Sequence, residues 1–528
     1  MAAYANLTVS MNSNRKAFID ALKIAGFTDS LAAQFAATYS IVSVSPPNLN
    51  GFSAVLFRKN DGSNERFLAI RGTNDPFDAF TDLVDIGLLG STDIQAQYAS
   101  LEAFYTQFKN ELKFTPAHAL TVTGHSLGGF LAQTFTADHA DVVSAYTYNA
   151  PGIGGSVLQV LELLGVTPAT LSFPNITNVV GQGPSLISGF GTYLGTVERA
   201  FIEGSLIDPL HNHSITTLTD ALALHDLVAK VDPNVSVSDV TSILNAASAT
   251  AAASLETGLD ALRRLFQGPS VTMTPVSDRE AYHTNLIALR DSLPATSPDR
   301  LDSLVDTSSS TVLSQAKAAT PDGLAYRYAL QELNPFVVIG ADYTIHNAGG
   351  ALDLYDTQAG EGAWTTLALS DRAELLVKRL AININDGGTV PTDTHYVDVR
   401  TGFEVGGVAS ANEVIFGDDR VGDVLEGHAG GDHLYGSDGA DTIIGNGGHD
   451  YIEGGAGNDP LLSGGAGNDI LLGQQGNNLL DGGTGDDRLT GGRDIDIFSV
   501  PLVGGTDSNL MTRWVGDDDY FTTLRKAA

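Results

Sequence analysis

Residues 121–129, Thr121-Val-Thr-Gly-His-Ser-Leu-Gly-Gly129, decide the fold of the first half of the chain. A β-branched run leads into Gly124-x-Ser126-x-Gly128, and the stretch 130–135 that follows can form a helix. A side chain at either glycine would collide across a sharp strand-to-helix bend, so glycine is needed there. The stretch predicts a strand, a tight turn and a helix, with the Ser126 hydroxyl presented as a nucleophile. A glycine-rich turn without chemistry is the alternative interpretation.

Strand and helix patterns alternate on both sides of this stretch. Strands are predicted at 52–57, 66–70, 119–123 and 142–148, and helices at 15–25, 30–39, 94–108 and 129–139. Strands that alternate with helices favour a mainly parallel sheet, so the predicted fold class is α/β. We assign residues 1–235 to this domain.

Two further regions follow. Residues 236–400 contain no chemical motif, and helices are predicted at 238–266, 324–333 and 370–381. This mainly helical region is interpreted as a structural or lipid-facing insert. Residues 401–528 form a third region, in which glycine and aspartate recur in a fixed register.

The register is nine residues long and follows the pattern Gly-Gly-x-Gly-x-Asp-x-U-x, where U is a large apolar residue. Successive repeats open at Gly427, Gly436, Gly445, Gly454 and Gly464 and continue at Gly473 and Gly482. The U positions, predicted to form a thin core, are Leu434, Ile443, Ile452, Leu461, Leu471, Leu480 and Leu489. One extra residue, assigned to Ser463, interrupts the register. A disordered acidic linker, the alternative, would not keep aspartate and an aliphatic residue in phase.

This pattern resembles the repeats-in-toxin (RTX) nonapeptide, whose family fold is a parallel β-roll that binds Ca²⁺. Glycine turns let carbonyl oxygens converge, and aspartate supplies the anionic oxygen that Ca²⁺ prefers. The predicted Ca²⁺ ligands are the five opening glycines, Gly427, Gly436, Gly445, Gly454 and Gly464, with Asp432, Asp441, Asp450, Asp459, Asp469 and Asp487. Residues 417–498 hold 16 acidic and 3 basic residues. Their repulsion predicts that the roll folds only when calcium binds. Asn478 replaces one aspartate, which predicts a weaker site there.

Composition restricts the class of partner. The 528 residues carry a formal net charge of −34, which argues against nucleic acid and against simple docking on anionic membranes. The chain has no cysteine, so a secreted protein of this sequence would have to be stabilised by something other than a disulfide, such as a metal. No stretch reaches the ~20 apolar residues of a membrane-spanning helix, and the first residues lack the apolar run of a cleaved signal peptide.

Residues 50–215 resemble the class 3 (fungal-type) lipases, which are counted among the α/β-hydrolases. The matching motifs are the serine turn at 121–129, Arg71-Gly72-Thr73 after a strand, Asp82 ten residues after Gly72, and Asn149-Ala-Pro-Gly152. The resemblance implies an oxyanion hole formed by the N–H groups of Thr73 and Leu127.

The resemblance also implies a catalytic histidine late in the domain. We choose His213, with His211 in reserve, and expect His125 to pack beside the turn. The family's aspartate position reads Gly181-Gln-Gly-Pro184 and holds no carboxylate. Chain order then leaves Asp208 as the predicted acid, with Glu203 as the alternative.

These inferences predict a secreted serine lipase or esterase that acts on lipid esters at an interface. Segments 77–89 and 157–164 are candidate lids, although either could be core. The RTX resemblance implies a Gram-negative source and passage through a type I exporter without a cleaved signal. Two alternatives stay open: a phospholipase toxin with the same chemistry, and a surface or binding protein that no longer turns over substrate.

Overall fold

The computed structural model describes most of the chain. The described residues are 7–47, 50–72, 92–111, 119–152, 173–182, 191–203, 209–248, 253–295, 299–383, 393–407, 412–492 and 494–499. Two compact units are present: Met1–Arg263 with Val271–Pro298, and Arg264–Ser270 with Asp299–Ala528. The second predicted region, 236–400, is therefore divided between the units, because its residues 236–263 and 271–298 belong to the first unit and the others to the second. The three predicted domain boundaries stay a prediction.

The first unit is built on a seven-stranded sheet whose strands lie side by side in chain order. The strands are β1 (Tyr39–Val44), β2 (Ala54–Lys59), β3 (Arg66–Ile70), β4 (Leu120–His125), β5 (Val142–Tyr148), β6 (Ile176–Gly181) and β7 (Thr196–Ala200). Pairing is antiparallel from β1 to β3 and parallel from β3 to β7. The predicted α/β class is confirmed, and the strands at 66–70 and 142–148 have the predicted bounds.

Nine α-helices of the described chain begin in this unit. They are α1 (Arg15–Ile24), α2 (Asp29–Thr38), α3 (Thr92–Glu111), α4 (Leu127–Asp138), α5 (Pro209–His213), α6 (Ile215–Val231), α7 (Val237–Ala247), α8 (Ser254–Gln267) and α9 (Arg279–Ser292). The one helix predicted over 238–266 is thus two helices, α7 and α8. Side chains cap several N-termini: Thr28 accepts the Leu31 N–H at the start of α2, and Ser236 forms a capping box with Asp239 in α7.

The two faces of the sheet are covered differently. Helices α3 and α4 share one apolar core with Leu56, Leu68 and Ile70, so they lie on the same face. Connections between parallel strands are almost always right-handed. When each connection leads to the next strand in the same direction across the sheet, the connecting helices all lie on one face. Val55 and Phe57, which alternate with Leu56, point to the other face and pack with α1 and α2. That face is covered by helices from outside the crossovers.

The second unit combines helices with parallel strands. Its helices are α10 (Ser309–Ala316), α11 (Pro321–Glu332) and α12 (Thr366–Asn383), and β8 (Arg300–Ser303) pairs with β9 (Phe336–Ile339). Two further sheets follow, with strand orders β11-β10-β12-β14-β16-β18-β20 and β13-β15-β17-β19-β21. These strands run from β10 (Thr394–Asp398) and β11 (Phe403–Gly406) through β12 (Asn412–Phe416), β13 (Val424–Glu426), β14 (His433–Tyr435), β15 (Thr442–Gly447), β16 (Tyr451–Ala456), β17 (Leu461–Ala466), β18 (Ile470–Gln475), β19 (Leu479–Thr484) and β20 (Arg488–Gly492) to β21 (Ile497–Ser499).

From β12 onward, successive strands alternate between the two sheets, and all of their pairings are parallel. This is the predicted parallel β-roll, and its core is a single column of aliphatic side chains. The column contains Ile415, Leu425, Leu434, Ile443, Ile452, Leu462, Leu471, Leu480 and Leu489.

One predicted core residue is wrong. Leu462, not Leu461, is buried in the column, and Leu462 pairs with Ile443 in the neighbouring strand. The extra residue of this repeat therefore lies at Pro460, before the U position, and not at Ser463. An insertion before the strand shifts the alternation of side chains by one residue, which turns Leu461 away from the core.

Among the described helices of the whole chain, none is long and apolar enough to cross a membrane.

Candidate active site and calcium-binding repeats

Ser126 lies at the junction between β4 and α4. Its backbone angles are φ 57° and ψ −130°, in a region that residues other than glycine rarely adopt. The Ser126 N–H donates to the Tyr148 carbonyl at 3.0 Å, and the Ser126 carbonyl accepts from Gly129 and Phe130 as α4 begins. The surrounding strands thus hold a strained turn, which is the predicted arrangement of strand, turn and helix.

Three glycines make room for this turn. A Cβ added to Gly124 would overlap the backbone of Gly128, and a Cβ on Gly128 would overlap the Ile70 carbonyl. A Cβ on Gly72 would overlap the His125 carbonyl and lie 3.1 Å from the Ser126 Cβ. Because these neighbours are mostly backbone atoms, none can rotate away. Any side chain at these positions would move the serine.

Leu127 is the first residue of α4. An N–H in the first turn of a helix has no partner within that helix, so it is available to an anion placed at the N-terminus. The other predicted oxyanion donor, Thr73, lies outside the described residues. So do Asp82, the predicted acid Asp208, and both candidate lids, 77–89 and 157–164.

His213 ends the short helix α5 and lies beside the serine turn. The His125 Nε2 donates to the His213 carbonyl oxygen at 2.8 Å, and the two rings are 4.8 Å apart. Burial lowers the pKa of His213 to about 4 and, together with its histidine neighbour, lowers the pKa of His125 to about 3. Both imidazoles are therefore neutral near pH 7, the state that a general base needs. The reserve candidate, His211, instead bonds through Nε2 to the Glu203 carbonyl oxygen at 2.6 Å.

Asn149 ties the histidine helix to the sheet, a role that the sequence did not predict. Its Nδ2 donates to the Asn212 carbonyl at 3.1 Å, and its Oδ1 accepts from the Gly181 N–H at 2.8 Å. The side chain is fully buried, with φ 45°. Asparagine tolerates this left-handed region better than most residues, which was the one available clue in the Asn-Ala-Pro-Gly motif.

The position where the family resemblance places an acid is occupied by an amide. Gln182 follows β6 and exchanges two hydrogen bonds with Asn245, at 2.6 and 3.0 Å. The Glu203 carboxylate accepts the Leu255 N–H at 2.9 Å and lies against Glu256. Burial raises the pKa of Glu203 to about 7. The hydrogen bond from the Leu255 N–H opposes this shift, and the nearby carboxylates, Glu256 first, add to it. These contacts turn the Glu203 carboxyl toward α8.

In the β-roll, aspartates connect turns that are stacked on the same side. Each Oδ1 accepts a hydrogen bond from the backbone N–H of the matching residue one full coil earlier. The acceptors are Asp450, Asp459, Asp469 and Asp487, and the respective donors are Asp432, Asp441, Asp450 and Asp469. Asn478 does the same to Asp459 through its side-chain oxygen. The ladder leaves the second carboxylate oxygen of each aspartate to face its own turn.

Those second oxygens are the best evidence for a cation. Among the described residues, the Oδ2 atoms of Asp441, Asp450, Asp459 and Asp469 are buried and have no hydrogen-bond partner. A Cβ on the opening glycine of each of these repeats would meet that Oδ2. For the first three of these glycines, the same Cβ would also lie within 3 Å of the carbonyl oxygen of the opening glycine one coil later. The pairs are Gly436 with Gly454, Gly445 with Gly464, and Gly454 with Gly473. Buried, unpartnered anionic oxygens in a glycine cradle fit Ca²⁺, which takes carboxylate and carbonyl ligands.

Asp432 differs from these four, because its two oxygens accept the N–H groups of Glu413 and His428. Burial raises the pKa of Asp441 to about 7 and raises those of Asp459 and Asp469 to about 6. A bound divalent cation would favour the ionised forms and offset this effect.

Comparison with known proteins identifies the repeats. Residues 426–459 and 463–498 match the family described as RTX calcium-binding nonapeptide repeat (4 copies). The gap between the matches includes Pro460, the inserted residue. The chain therefore carries RTX calcium-binding repeats toward its C-terminal end, and the predicted cofactor, Ca²⁺, is confirmed. Among curated proteins, no sequence matches the chain.

Solved structures that are similar to the chain include three lipases. They are lipase II from Rhizopus niveus (17% identity, 35% of this chain and 72% of that chain, TM-score 0.24), a triacylglycerol lipase from Penicillium expansum (16%, 39% and 91%, 0.24) and the triacylglyceride lipase of Rhizomucor miehei (15%, 41% and 93%, 0.27). The α/β class assigned here rests on the sheet topology of the chain itself.

Proposed function

We propose that the protein is a serine hydrolase that cleaves carboxylic esters of lipids. The observation that carries the proposal is the strained Ser126 turn at the N-terminus of α4, with the buried, neutral His213 held beside it through His125. A serine in this setting needs a base to accept its proton and N–H groups to stabilise the oxyanion. No other constellation among the described residues combines these features.

In the proposed mechanism, His213 accepts the Ser126 proton as Oγ attacks the ester carbonyl. The N–H groups of Leu127 and Thr73 stabilise the tetrahedral oxyanion, and His213 then protonates the leaving alcohol. Water attacks the resulting acyl-enzyme with His213 again as base. Asp208 is the proposed acid that orients the imidazole. Asn149 and His125 position the histidine backbone.

The test compares the wild type, Ser126→Ala and Ser242→Ala on p-nitrophenyl esters in calcium. Ser242 is a matched control, because its hydroxyl bonds only to the Ser238 carbonyl of its own helix. Ser126→Ala is expected to lower kcat by at least about 10⁴-fold, while the control keeps wild-type rates. Equal rates for the wild type and Ser126→Ala would reject the enzyme and favour a binding or surface protein.

Two further comparisons assign the partners. His213→Gln is expected to abolish turnover, and His211→Gln to retain most of it. Asp208→Ala is expected to lose far more activity than Glu203→Ala, and loss in neither would place the acid elsewhere. A panel of triacylglycerols and phospholipids separates lipase from phospholipase activity, since the chemistry at serine is the same for both.

We also propose that the protein acts outside the cell after export through a type I system, with the roll folding on calcium. The buried aspartates support this proposal, because they repel one another until a cation binds. Circular dichroism of the full chain should gain β-structure when calcium is added and lose it with a chelator. Identical spectra in both conditions would contradict calcium-coupled folding.

A further inference from the structure

A large cavity lies in the first unit between the sheet and the helices on its second face. Its volume is about 580 Å³. Apolar side chains from several elements line it, among them Leu31, Phe35, Phe57, Leu222 and Leu286. They come from α2, β2, α6 and α9. Cavities of this size are typical of sites for small organic ligands.

The topology of the sheet explains why space remains here. The crossover helices α3 and α4 occupy the first face, and among the described helices α1, α2, α6 and α9 lie around the cavity on the second face. Parallel strands are normally buried on both faces. A second cavity of about 580 Å³ continues along this face over β3, β4 and β5, where Phe67, Thr121 and Tyr146 line it. Phe35, Tyr39, Phe57, Thr123 and Tyr148 line both cavities, which are therefore adjacent.

One end of the first cavity lies against the serine turn. Gly72, Gly124 and His125 form part of its wall, and a Cβ on Gly72 would lie 3.1 Å from the Ser126 Cβ. The apolar space thus begins next to the nucleophile and extends along the strands toward their N-terminal ends.

Two of the three arginines in the lining are paired with aspartates, and the third, Arg71, donates to the Gly51 carbonyl at 2.9 Å. Arg279 makes two hydrogen bonds of 2.6 Å to Asp220, and Arg290 lies 3.0 Å from Asp226. The charges of Arg279 and Arg290 are thus compensated within the protein, whereas the buried Nε of Arg71 has no hydrogen-bond partner among the described residues. An apolar ligand is the occupant that gains most from this lining, because it removes hydrocarbon from water.

We propose that this cavity holds the hydrocarbon chain of a long fatty acyl group while its carbonyl is at Ser126. The inference rests on the proposed function and makes it more specific: the acyl donor is a long-chain ester, and its chain is enclosed beneath the helices of the second face. Burial of each methylene is worth about a fourfold gain in kcat/KM until the chain fills the available length.

The first experiment fills the cavity and measures chain-length preference. Ala223 on α6 lines the cavity, and Ala37 on α2 is exposed and lines neither cavity, so Ala223→Phe and Ala37→Phe are a matched pair. Wild type and Ala37→Phe should prefer C12–C16 over C4 p-nitrophenyl esters. Ala223→Phe should keep its C4 rate within about twofold and lose on the order of 10² in kcat/KM on C16, the value of three to four methylenes.

The inference would be overturned if folded Ala223→Phe lost activity on esters of every chain length, or if its chain-length preference were the same as that of the wild type. If Ala223→Phe does not fold, as judged by circular dichroism, Leu31→Trp on the opposite wall replaces it with the same expected result.

The second experiment does not depend on turnover. Ser126→Ala is titrated with cis-parinaric acid, a fluorescent C18 fatty acid, with and without Ala223→Phe. Saturable binding that weakens at least tenfold with Ala223→Phe supports the cavity, even if the wild type hydrolyses no ester and the proposed function fails. Binding that is absent, or equal in both proteins, overturns the cavity even if ester hydrolysis is established.

Discussion

Replacement of Asn149 by alanine tests whether the histidine helix depends on its tether. The side chain is fully buried and makes two hydrogen bonds, to the Gly181 N–H at 2.8 Å and to the Asn212 carbonyl at 3.1 Å. Each buried partner that loses its bond costs about 1–3 kcal/mol. Alanine at φ 45° adds about 1 kcal/mol, since it tolerates the left-handed region less well than asparagine. The expected loss in the free energy of unfolding is about 3–7 kcal/mol.

The effect on catalysis should be separable from the effect on stability. The lost bond to Asn212 lets the adjacent His213 move, and a misplacement of about 1 Å can lower the rate on the order of 10²-fold. Asn149→Ala is therefore expected to lower kcat/KM on p-nitrophenyl butyrate by about 10–100-fold. Rates are normalised to folded sites by titration with diethyl p-nitrophenyl phosphate, and stability is followed by urea unfolding.

Thr147→Val is the control, because Thr147 is also fully buried on β5 and donates at 2.7 Å to Asn178, not to the histidine helix. It should destabilise the protein by about 1–2 kcal/mol and leave kcat/KM within about twofold of wild type. If Asn149→Ala, folded and titrated, is as active as Thr147→Val, the tether does not position the base.

Three further results are expected. Leu462→Ala should destabilise the calcium-loaded roll by about 2–4 kcal/mol and Leu461→Ala by less than about 1 kcal/mol, since of these two leucines Leu462 is the one in the core column. Equal losses of stability, measured by thermal unfolding, would contradict the observed register. The rate of ester hydrolysis should not change with pH from neutral down to about pH 5, because burial lowers the pKa of His213 to about 4 and the base stays neutral in this range. A fall in rate between pH 6 and 7, near the ordinary histidine pKa of about 6.5, would argue against His213. Asp450→Asn should raise the calcium concentration at the midpoint of folding, measured by circular dichroism, by about tenfold. Asp481→Asn makes the same charge change at a residue outside the predicted ligands, and it should shift the midpoint far less. Equal shifts would mean that net charge, and not ligation, controls folding.

Local patterns in the sequence predicted the elements near the serine well. A glycine on each side of Ser126 restricts the backbone to one kind of turn, so the strand and helix that flank it follow from local sterics. The repeats were equally predictable, because a fixed period of glycine, aspartate and aliphatic residue leaves few folds open. The errors within the repeats, Leu461 for Leu462 and Ser463 for Pro460, arose at an insertion, where the position of one extra residue depends on pairing with neighbouring coils.

Other features depend on contacts between residues far apart in the chain. The His213 carbonyl meets His125 across 88 positions, and the Asn212 carbonyl meets Asn149 across 63. No periodicity in the sequence encodes such pairs. The engagement of Glu203 with the start of α8 was likewise invisible, because it depends on how a later helix packs.

By itself, then, the sequence determined the serine turn, the α/β class and the calcium-binding roll, since each is specified by short-range sterics or by a strict repeat. The tertiary structure decided how the histidine is held, which leucine enters the roll core, and where an apolar cavity remains. These properties depend on which faces of distant elements meet. The order of the strands placed α3 and α4 on one face of the sheet, and an apolar cavity remains on the other.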